Sequence, residues 1–194
     1  DAAYAALVFD QTQPLSFLSI PGAKDVGVEV HSLSKSFNMT GWRIGFIAGN
    51  AKIVNSFATV KDNNDSGQFI PIQKAAAYAL AHPEITQKTA QKYSRRHELL
   101  TNVLKSSGFQ VTKPQGSFFI YAKIPVRVEG GPAFQTAEQF SQYLLRECLI
   151  STVPWDDAGP FVRFSVTFQA HDMEEENEII EEIKSRLSRS SFIF

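Results

Sequence analysis

The stretch Ser32-Leu33-Ser34-Lys35-Ser36-Phe37-Asn38-Met39-Thr40-Gly41-Trp42-Arg43-Ile44-Gly45 constrains this chain more than any other. It continues Val26-Gly27-Val28-Glu29-Val30-His31-Ser32-Leu33, a run rich in β-branched residues that reads as a buried strand. A second strand is predicted from Trp42 to Gly49, and Asn50 can cap a helix from Ala51 to about Lys61. Strands this apolar imply an α/β layer with parallel pairing. A lysine leaving the C-terminal end of such a strand stands where α/β folds place ligands.

The rest of the chain divides by pattern. Ala6-Leu7-Val8-Phe9 is a short apolar run before a polar loop, Gln11 to Ser16. Asp62 to Gly67 is a turn cluster, and Ile72 to Ala81 reads as an Ala-rich helix. Pro83 fits the first turn of a long helix, Glu84 to about Ser106, closed by Gly108. Lys88, Lys92, Arg95, Arg96 and Glu98 interleave with apolar residues there and read as a solvated face. Beyond Gly108, strands are predicted at 109–111, 117–124, 150–153 and 161–168. Thr136-Ala137-Glu138-Gln139 opens a helix to about Glu147, and Asp172 caps another from Met173 to about Leu187. In the strand at 161–168, Phe161, Arg163, Ser165 and Thr167 share one face. The composition of these pieces predicts an α/β part over 1–90 and a smaller α+β domain over 91–194.

Composition sets outer limits. Hydrophobic residues make up 43% of 194, including sixteen Phe, enough to fill a core and to exclude disorder. A net charge of −1 argues against a nucleic-acid surface. No apolar run reaches the roughly 18–20 residues of a membrane-spanning helix. The single cysteine, Cys148, rules out an intrachain disulfide, reads as a small buried hydrophobe, and points to a cytoplasmic setting. His31, His82, His97 and His171 lack ligand spacing, so no metal site is expected. The chain opens on Asp1-Ala2-Ala3-Tyr4 without Met, at what reads as the end of a strand, and is expected to be the second half of something longer.

Most lysines are solvated charges. Lys35 differs: an apolar strand delivers it, its neighbours are small, and Arg43 follows within Gly-X-Arg-X-Gly. A partly desolvated lysine can attack a carbonyl and form a Schiff base, and the same amine can later carry a proton. Ser32 and Ser34 can donate to phosphate oxygens, and Arg43 offers a bidentate, charge-assisted contact. An amine beside a phosphate cradle suits a cofactor with an aldehyde and a phosphate, pyridoxal 5′-phosphate (PLP). Strand-end serines and a surface lysine are the competing reading.

Ser32-Leu33-Ser34-Lys35 through Arg43-Ile44-Gly45 resembles the PLP-attachment signature of class I/II (fold type I) aminotransferases at every constrained position. Asp1 and Tyr4 are similar to the family's Asp-X-X-Tyr, and Phe161-Val162-Arg163-Phe164-Ser165 to its late motif. The resemblance implies that Lys35 carries the cofactor and is the catalytic residue. It implies that Asp1 pairs with the pyridinium nitrogen, that Tyr4 meets the ring's 3′ oxygen, and that Ser32, Ser34 and Arg43 hold the phosphate. Arg163 would grip the substrate's α-carboxylate. A charged partner at the ring nitrogen keeps it protonated and the ring electron-withdrawing.

The implied fold is the C-terminal part of a PLP-dependent transferase large domain plus a small domain. The implied activity is transamination between an amino acid and a 2-oxo acid, with glutamate and 2-oxoglutarate as partners. Donors considered are aspartate, LL-diaminopimelate, alanine and aromatic amino acids. The family's glycine-rich phosphate turn, ring-stacking aromatic and 3′-oxygen Asn belong to an earlier half. The resemblance therefore implies a missing N-terminal half, a homodimer and an inactive isolated chain. A PLP lyase or cyclase, and a ligand-binding domain of a regulator, are the alternatives. Asp65-Ser66-Gly67-Gln68-Phe69 is similar to a segment near the subunit interface in relatives of the LL-diaminopimelate type. Trp155 to Pro160 departs from the Gly-rich segment usual before the late Arg, and Asp156-Asp157 reads as a solvated turn.

Overall fold

The computed structural model describes residues 1–10, 13–65 and 67–194. Gln11 and Thr12 of the expected loop, and Ser66 of the expected turn, lie outside the described residues. The chain forms two compact units: Asp1–Lys92 with Gln115–Ser117, and Tyr93–Pro114 with Phe118–Phe194.

In the first unit a short helix α1 (Ala23–Val26) leads into β1 (Val28–Ser32). β2 (Gly45–Gly49) pairs with β1 antiparallel, Val28 opposite Gly49 and Ser32 opposite Gly45. The expectation of parallel pairing does not hold for these two strands. The link between them is built of turns and a 3-10 turn at Thr40–Trp42, with no helix to carry the chain back for a parallel return. β2 also starts later than predicted, because Trp42 belongs to that turn and Arg43 has a left-handed backbone. Asn50 caps α2 (Ala51–Asn64), its Oδ1 accepting from the Lys52 and Ile53 amides. α2 thus runs three residues beyond the expected Lys61, into the predicted turn cluster. α3 (Ile70–Leu80) follows, with Pro71 in its first turn. Ala76 and Ala79 of α3 pack with Leu33 and Met39 into a small core beneath the lysine turn.

α4 (Glu84–Ser106) matches the predicted long helix. It ends as the sequence indicates: Gly108 adopts φ +92°, Phe109 N–H donates to Leu104 O, and Gly108 N–H to Lys105 O. That closure overturns the strand predicted at 109–111. The Phe109 amide is spent on the helix end and Val111 N–H turns back to Phe109 O. Phe109 serves the core instead, in contact with Phe140, Phe164, Phe192 and Phe194.

The second unit is a three-stranded antiparallel sheet in the order β3 (Phe119–Lys123), β6 (Phe161–Ser165), β5 (Val153–Pro154). A second pair joins β4 (Arg127–Val128) to β7 (Phe192–Ile193). The strand predicted at 150–153 shrinks to Val153–Pro154, because Ile150 N–H closes the end of α5 (Ala137–Glu147) on Leu144 O. Asp172 caps α6 (Met173–Leu187) by accepting from Glu175 N–H. Ile120, Ala122, Val162 and Phe164 fill the core with residues of α4, α5 and α6, and Cys148 is buried there.

The solvated-face reading of α4 fails at Arg96, which is 1% exposed. Its Nε donates to Glu176 Oε1 (2.8 Å), and Nη1 reaches the Val166 and Phe168 carbonyls. The Phe168 ring lies 4.3 Å from the guanidinium carbon. Arg95 donates through Nε and Nη2 to Glu176 Oε2. Burial pushes the Glu176 carboxyl up, but the hydrogen bonds from Arg95 and Arg96 outweigh it and hold the group below its ordinary value. A charge cannot be left alone at that depth, so helix α4 is welded to α6 and to the chain following β6.

Candidate active site

β1 ends at Ser32 and the chain turns at once, so Lys35 sits on the first turn beyond the strand. Three bonds shape that turn. Ser32 Oγ accepts from Ser34 N–H (3.1 Å), Asn38 N–H donates to Lys35 O, and Thr40 Oγ1 donates to Ser34 O (2.8 Å). Ser34 and Ser36 are buried, which fixes the backbone on both sides of a half-buried Lys35. Lys35 Nζ lies 5.7 Å from the centroid of the Tyr4 ring. It makes no hydrogen bond or ion pair with the described residues.

The Asp1–Tyr4 segment is held alongside β1 by Ala2 N–H donating to Val30 O (2.8 Å). The Asp1 carboxylate is exposed and accepts from Ala3 N–H (3.1 Å). Leu7 and Phe9 are buried behind this segment, and Val8 bridges to Gly116. The apolar run thus anchors the turn that carries Tyr4.

Arg43 is exposed and lies across from the lysine turn, since Leu33 N–H donates to Ile44 O. Its backbone sits at φ 52°, ψ 54°, a conformation that costs an L-residue about 1–2 kcal/mol. Its Nη1 donates to Thr40 O (3.1 Å), which leaves most of the guanidinium fork open. The two flanking glycines play separate parts. A Cβ on Gly45 would stand 2.4 Å from His31 O, so Gly45 is required for β1 and β2 to meet, whereas Gly41 borders open space. Gly45 is therefore a strand-pairing residue rather than a point of ligand approach.

Beside the lysine turn, His31 stacks on Phe46 (4.7 Å, 9°) and its Nε2 lies 2.9 Å from Glu29 Oε2. Glu29 also accepts from Ser16 Oγ and Phe17 N–H. Burial raises the Glu29 carboxyl, and these hydrogen bonds together bring it below its ordinary value. This latch, absent from the sequence-based reading, ties the segment at 16–17 onto β1.

The first unit therefore brings Lys35, Tyr4, Ser32, Ser34 and Arg43 to one end of β1, with Asp1 on the segment beside it. Arg163 belongs to the second unit. It lies at the centre of β6, opposite Tyr121 of β3 and Val153 of β5. Its guanidinium carbon is 4.0 Å from the Phe119 ring and 5.1 Å from the Trp155 ring. Its Nε is buried and has no hydrogen-bond partner among the described residues.

Asp156 and Asp157 lie exposed on a turn, and Asp156 has a structural part besides. Its carboxylate accepts from Ala137 N–H (2.6 Å) and Glu138 N–H (3.2 Å), capping α5 from across the sheet. Thr136 Oγ1 takes the Gln139 amide of the same helix, as the capping pattern predicts. The second acidic residue, Asp157, makes no such contact. Among the described residues, no group of three or more His, Cys, Asp or Glu is arranged to hold a metal, and no helix is long and apolar enough to cross a membrane.

An amine, a phenol ring, two strand-end hydroxyls and an open guanidinium, gathered on one turn, form a donor set that fits PLP. Residues 1–183 match the model of the aminotransferase class I and II family. The LL-diaminopimelate aminotransferase of Methanococcus maripaludis is 54% identical over 199 residues, covering 100% of this chain and 48% of that protein. That of Methanocaldococcus jannaschii is 55% identical over 195 residues, covering 96% and 46%. The glutamate-pyruvate aminotransferase AlaC of Escherichia coli is 39% identical over 171 residues, covering 86% and 40%. Among solved structures, BacF from Bacillus subtilis superposes with a TM-score of 0.81 at 36% identity, over 95% of this chain and 48% of that one. The aromatic aminotransferase from Pyrococcus horikoshii gives 0.82 at 29% identity, over 97% and 49%.

Fold and site together define a part of a PLP-dependent α/β enzyme. The chain belongs to the aminotransferase class I and II family. It spans about half the length of the curated relatives it matches.

Proposed function

We propose that this chain is the C-terminal half of an aminotransferase that moves an amino group between an amino acid and a 2-oxo acid. The observation that carries the proposal is the placement of Lys35, whose Nζ has no hydrogen bond among the described residues and lies 5.7 Å from the Tyr4 ring on a rigid turn after β1. Lys35 would hold PLP covalently. Tyr4 would donate to the ring's phenolic oxygen, Asp1 would pair with the ring nitrogen, and Ser32, Ser34 and Arg43 would bind the phosphate. Bound PLP supplies an electron sink for the carbanion left when a substrate loses its α-proton.

The chain's own residues then divide the work. Arg163 presents a planar fork to the substrate α-carboxylate and so sets the orientation of Cα. Lys35 Nζ, once its amine is free, takes the proton from Cα and returns it on the far side of the transfer. The Tyr4 ring shields that amine from water on one side.

The names of the relatives at 54–55% identity support LL-diaminopimelate as the amino compound; glutamate and 2-oxoglutarate would be the exchange pair, as the family resemblance implies. The domain reading goes with this: 1–90 as part of the cofactor-binding domain and 91–194 as the small domain. The remaining half of the site would come from an N-terminal half and from a second subunit in a homodimer. The exposed apolar stripe of α2, Ile53, Phe57 and Val60, supports such a partner surface. We place the enzyme in the cytosol, in keeping with its single buried thiol.

Borohydride reduction of the full-length parent tests the reading. A pyridoxyl mass increment on the tryptic peptide carrying Lys35, and formation of pyridoxamine phosphate from PLP on adding glutamate, are expected. Label on another lysine, or turnover without pyridoxamine phosphate, would overturn it.

A further inference from the structure

The solvent-side face of the second unit's sheet sets the Arg163 guanidinium among aromatic rings. Cross-strand pairing puts Tyr121, Arg163 and Val153 on the same face, and the two-residue period adds Phe119 on β3 and Trp155 just past β5. The Arg163 guanidinium is flanked by Phe119 at 4.0 Å and Trp155 at 5.1 Å. Trp155 is itself held edge-on by Tyr121, with ring centroids 6.1 Å apart. No carboxylate among the described residues pairs with Arg163, and its Nε is buried and unsatisfied. Rings on both sides therefore fix the plane of the fork without using its donors.

Trp155 is 38% exposed and sits in a loop, where an indole would ordinarily sample several rotamers. The Tyr121 ring set edge-on to it restricts the indole, and two anchors fix the backbone that carries it. Trp155 N–H donates to Phe161 O (2.9 Å), and the next residue, Asp156, is bound through both carboxylate oxygens to the first two amides of α5. A carboxylate on a helix N-terminus is a firm anchor, because it satisfies orphan donors and meets the positive end of the helix dipole. The chain from α5 to Trp155 to Arg163 is thus rigid at each link.

We propose that Trp155 and Asp156 are positioning residues for the carboxylate-binding arginine: Asp156 pins the loop to α5, and Trp155 holds the Arg163 fork in the plane that a substrate carboxylate meets. The claim rests on the reading of Arg163 as the carboxylate ligand. It gives a purpose to a segment whose sequence departs from the Gly-rich pattern.

The test uses the full-length parent and 2-methylglutamate, which carries the α-carboxylate but no α-proton, with binding followed by isothermal titration. Trp155→Ala is expected to raise the dissociation constant about five- to thirty-fold, the range for losing one flanking ring from a desolvated cation. Trp155→Phe should recover most of that. Asp156→Ala should weaken binding in the same direction. It should add little on top of Trp155→Ala, because Asp156 acts through Trp155. With glutamate as substrate, KM should rise in each case while kcat changes less than threefold. Affinity within twofold of wild type in Trp155→Ala, or full additivity of the two substitutions, would overturn the proposal. Borohydride labelling at Lys35 in the same variants separates the two readings. It should be unchanged when only the arginine's wall is lost, and its absence from the wild type would instead sink the transaminase assignment.

Discussion

Removing the Glu176 carboxylate should cost the second unit more than any other single polar deletion. The carboxylate is 3% exposed and receives three guanidinium N–H bonds, two from Arg95 and one from the buried Arg96. Glu176→Ala leaves Arg96 with only the Val166 and Phe168 carbonyls, an uncompensated charge at 1% exposure. Breaking a buried pair from one side costs about 3–5 kcal/mol. Glu176→Gln keeps one oxygen for Arg96 but turns amide hydrogens toward Arg95, and should cost about 1.5–3 kcal/mol. Urea unfolding in a Trp42→Phe background, with Trp155 as the sole fluorescent reporter, reads this unit alone. For a unit of roughly 100 residues each kcal/mol shifts the midpoint of thermal unfolding by about 4–8 °C. The pH dependence follows from the direction of the shift. The folded pKa of Glu176 lies below its ordinary value of 4.5, so its contribution is complete above pH 4.5 and disappears as pH falls through the lower folded value. The stability gap between wild type and Glu176→Gln should therefore narrow on acidification below pH 4.5. A cost under about 1 kcal/mol for Glu176→Ala, or a gap that does not close in acid, would refute the ion triad as the weld between α4 and α6.

Two further outcomes follow from single residues. Arg43→Gly should leave thermal stability within about 1 kcal/mol of wild type, because relief of the left-handed backbone offsets the added chain entropy. In the full-length parent it should weaken PLP binding, followed by absorbance titration, at least about tenfold through loss of charge-assisted phosphate bonds; tight binding would argue against Arg43 as a phosphate ligand. Cys148 is fully buried and burial pushes its thiol pKa up, so a disulfide reagent at pH 8 should modify it on the order of 10³-fold more slowly than in denaturant. Prompt labelling in native buffer would show that the core around α5 opens locally.

Much of the secondary structure was legible because it depends on local chemistry. The α4 boundaries, the Asn50, Thr136 and Asp172 caps and the Gly108 stop are each set by a few adjacent side chains and backbone amides. The misread segments share another cause. At 109–111 and 150–153 the residues have the β-branched and aromatic character of strands, but the Phe109 and Ile150 amides are taken by the end of the preceding helix. Pattern reports where a side chain prefers to be, not whether its backbone is already bonded. Parallel pairing of β1 and β2 was likewise inferred from apolar content, which records burial on two faces and says nothing of strand direction.

Two arginines of the second unit, Arg96 buried and Arg163 half-buried, show where sequence reading of a site stops. Arg96 and Arg163 both sit among apolar neighbours, and both are flanked by rings within about 6 Å, the reach of a cation–π contact. Aromatic company does not separate a structural cation from a ligand-binding one. The separating fact is the counter-charge. Arg96 has Glu176, eighty residues away in sequence and invisible to any local pattern. Arg163 has no carboxylate among the described residues, and its Nε is left without a partner. A cation that the fold neutralises is spent on stability: Arg96 gives Nε to Glu176 and Nη1 to two carbonyls, and its Nη2 is buried without a partner among the described residues. A cation that the fold orients between two rings and leaves without an anion retains its donors for a carboxylate. On this criterion Arg163, and not Arg96, is the arginine that the proposed role in carboxylate binding can use.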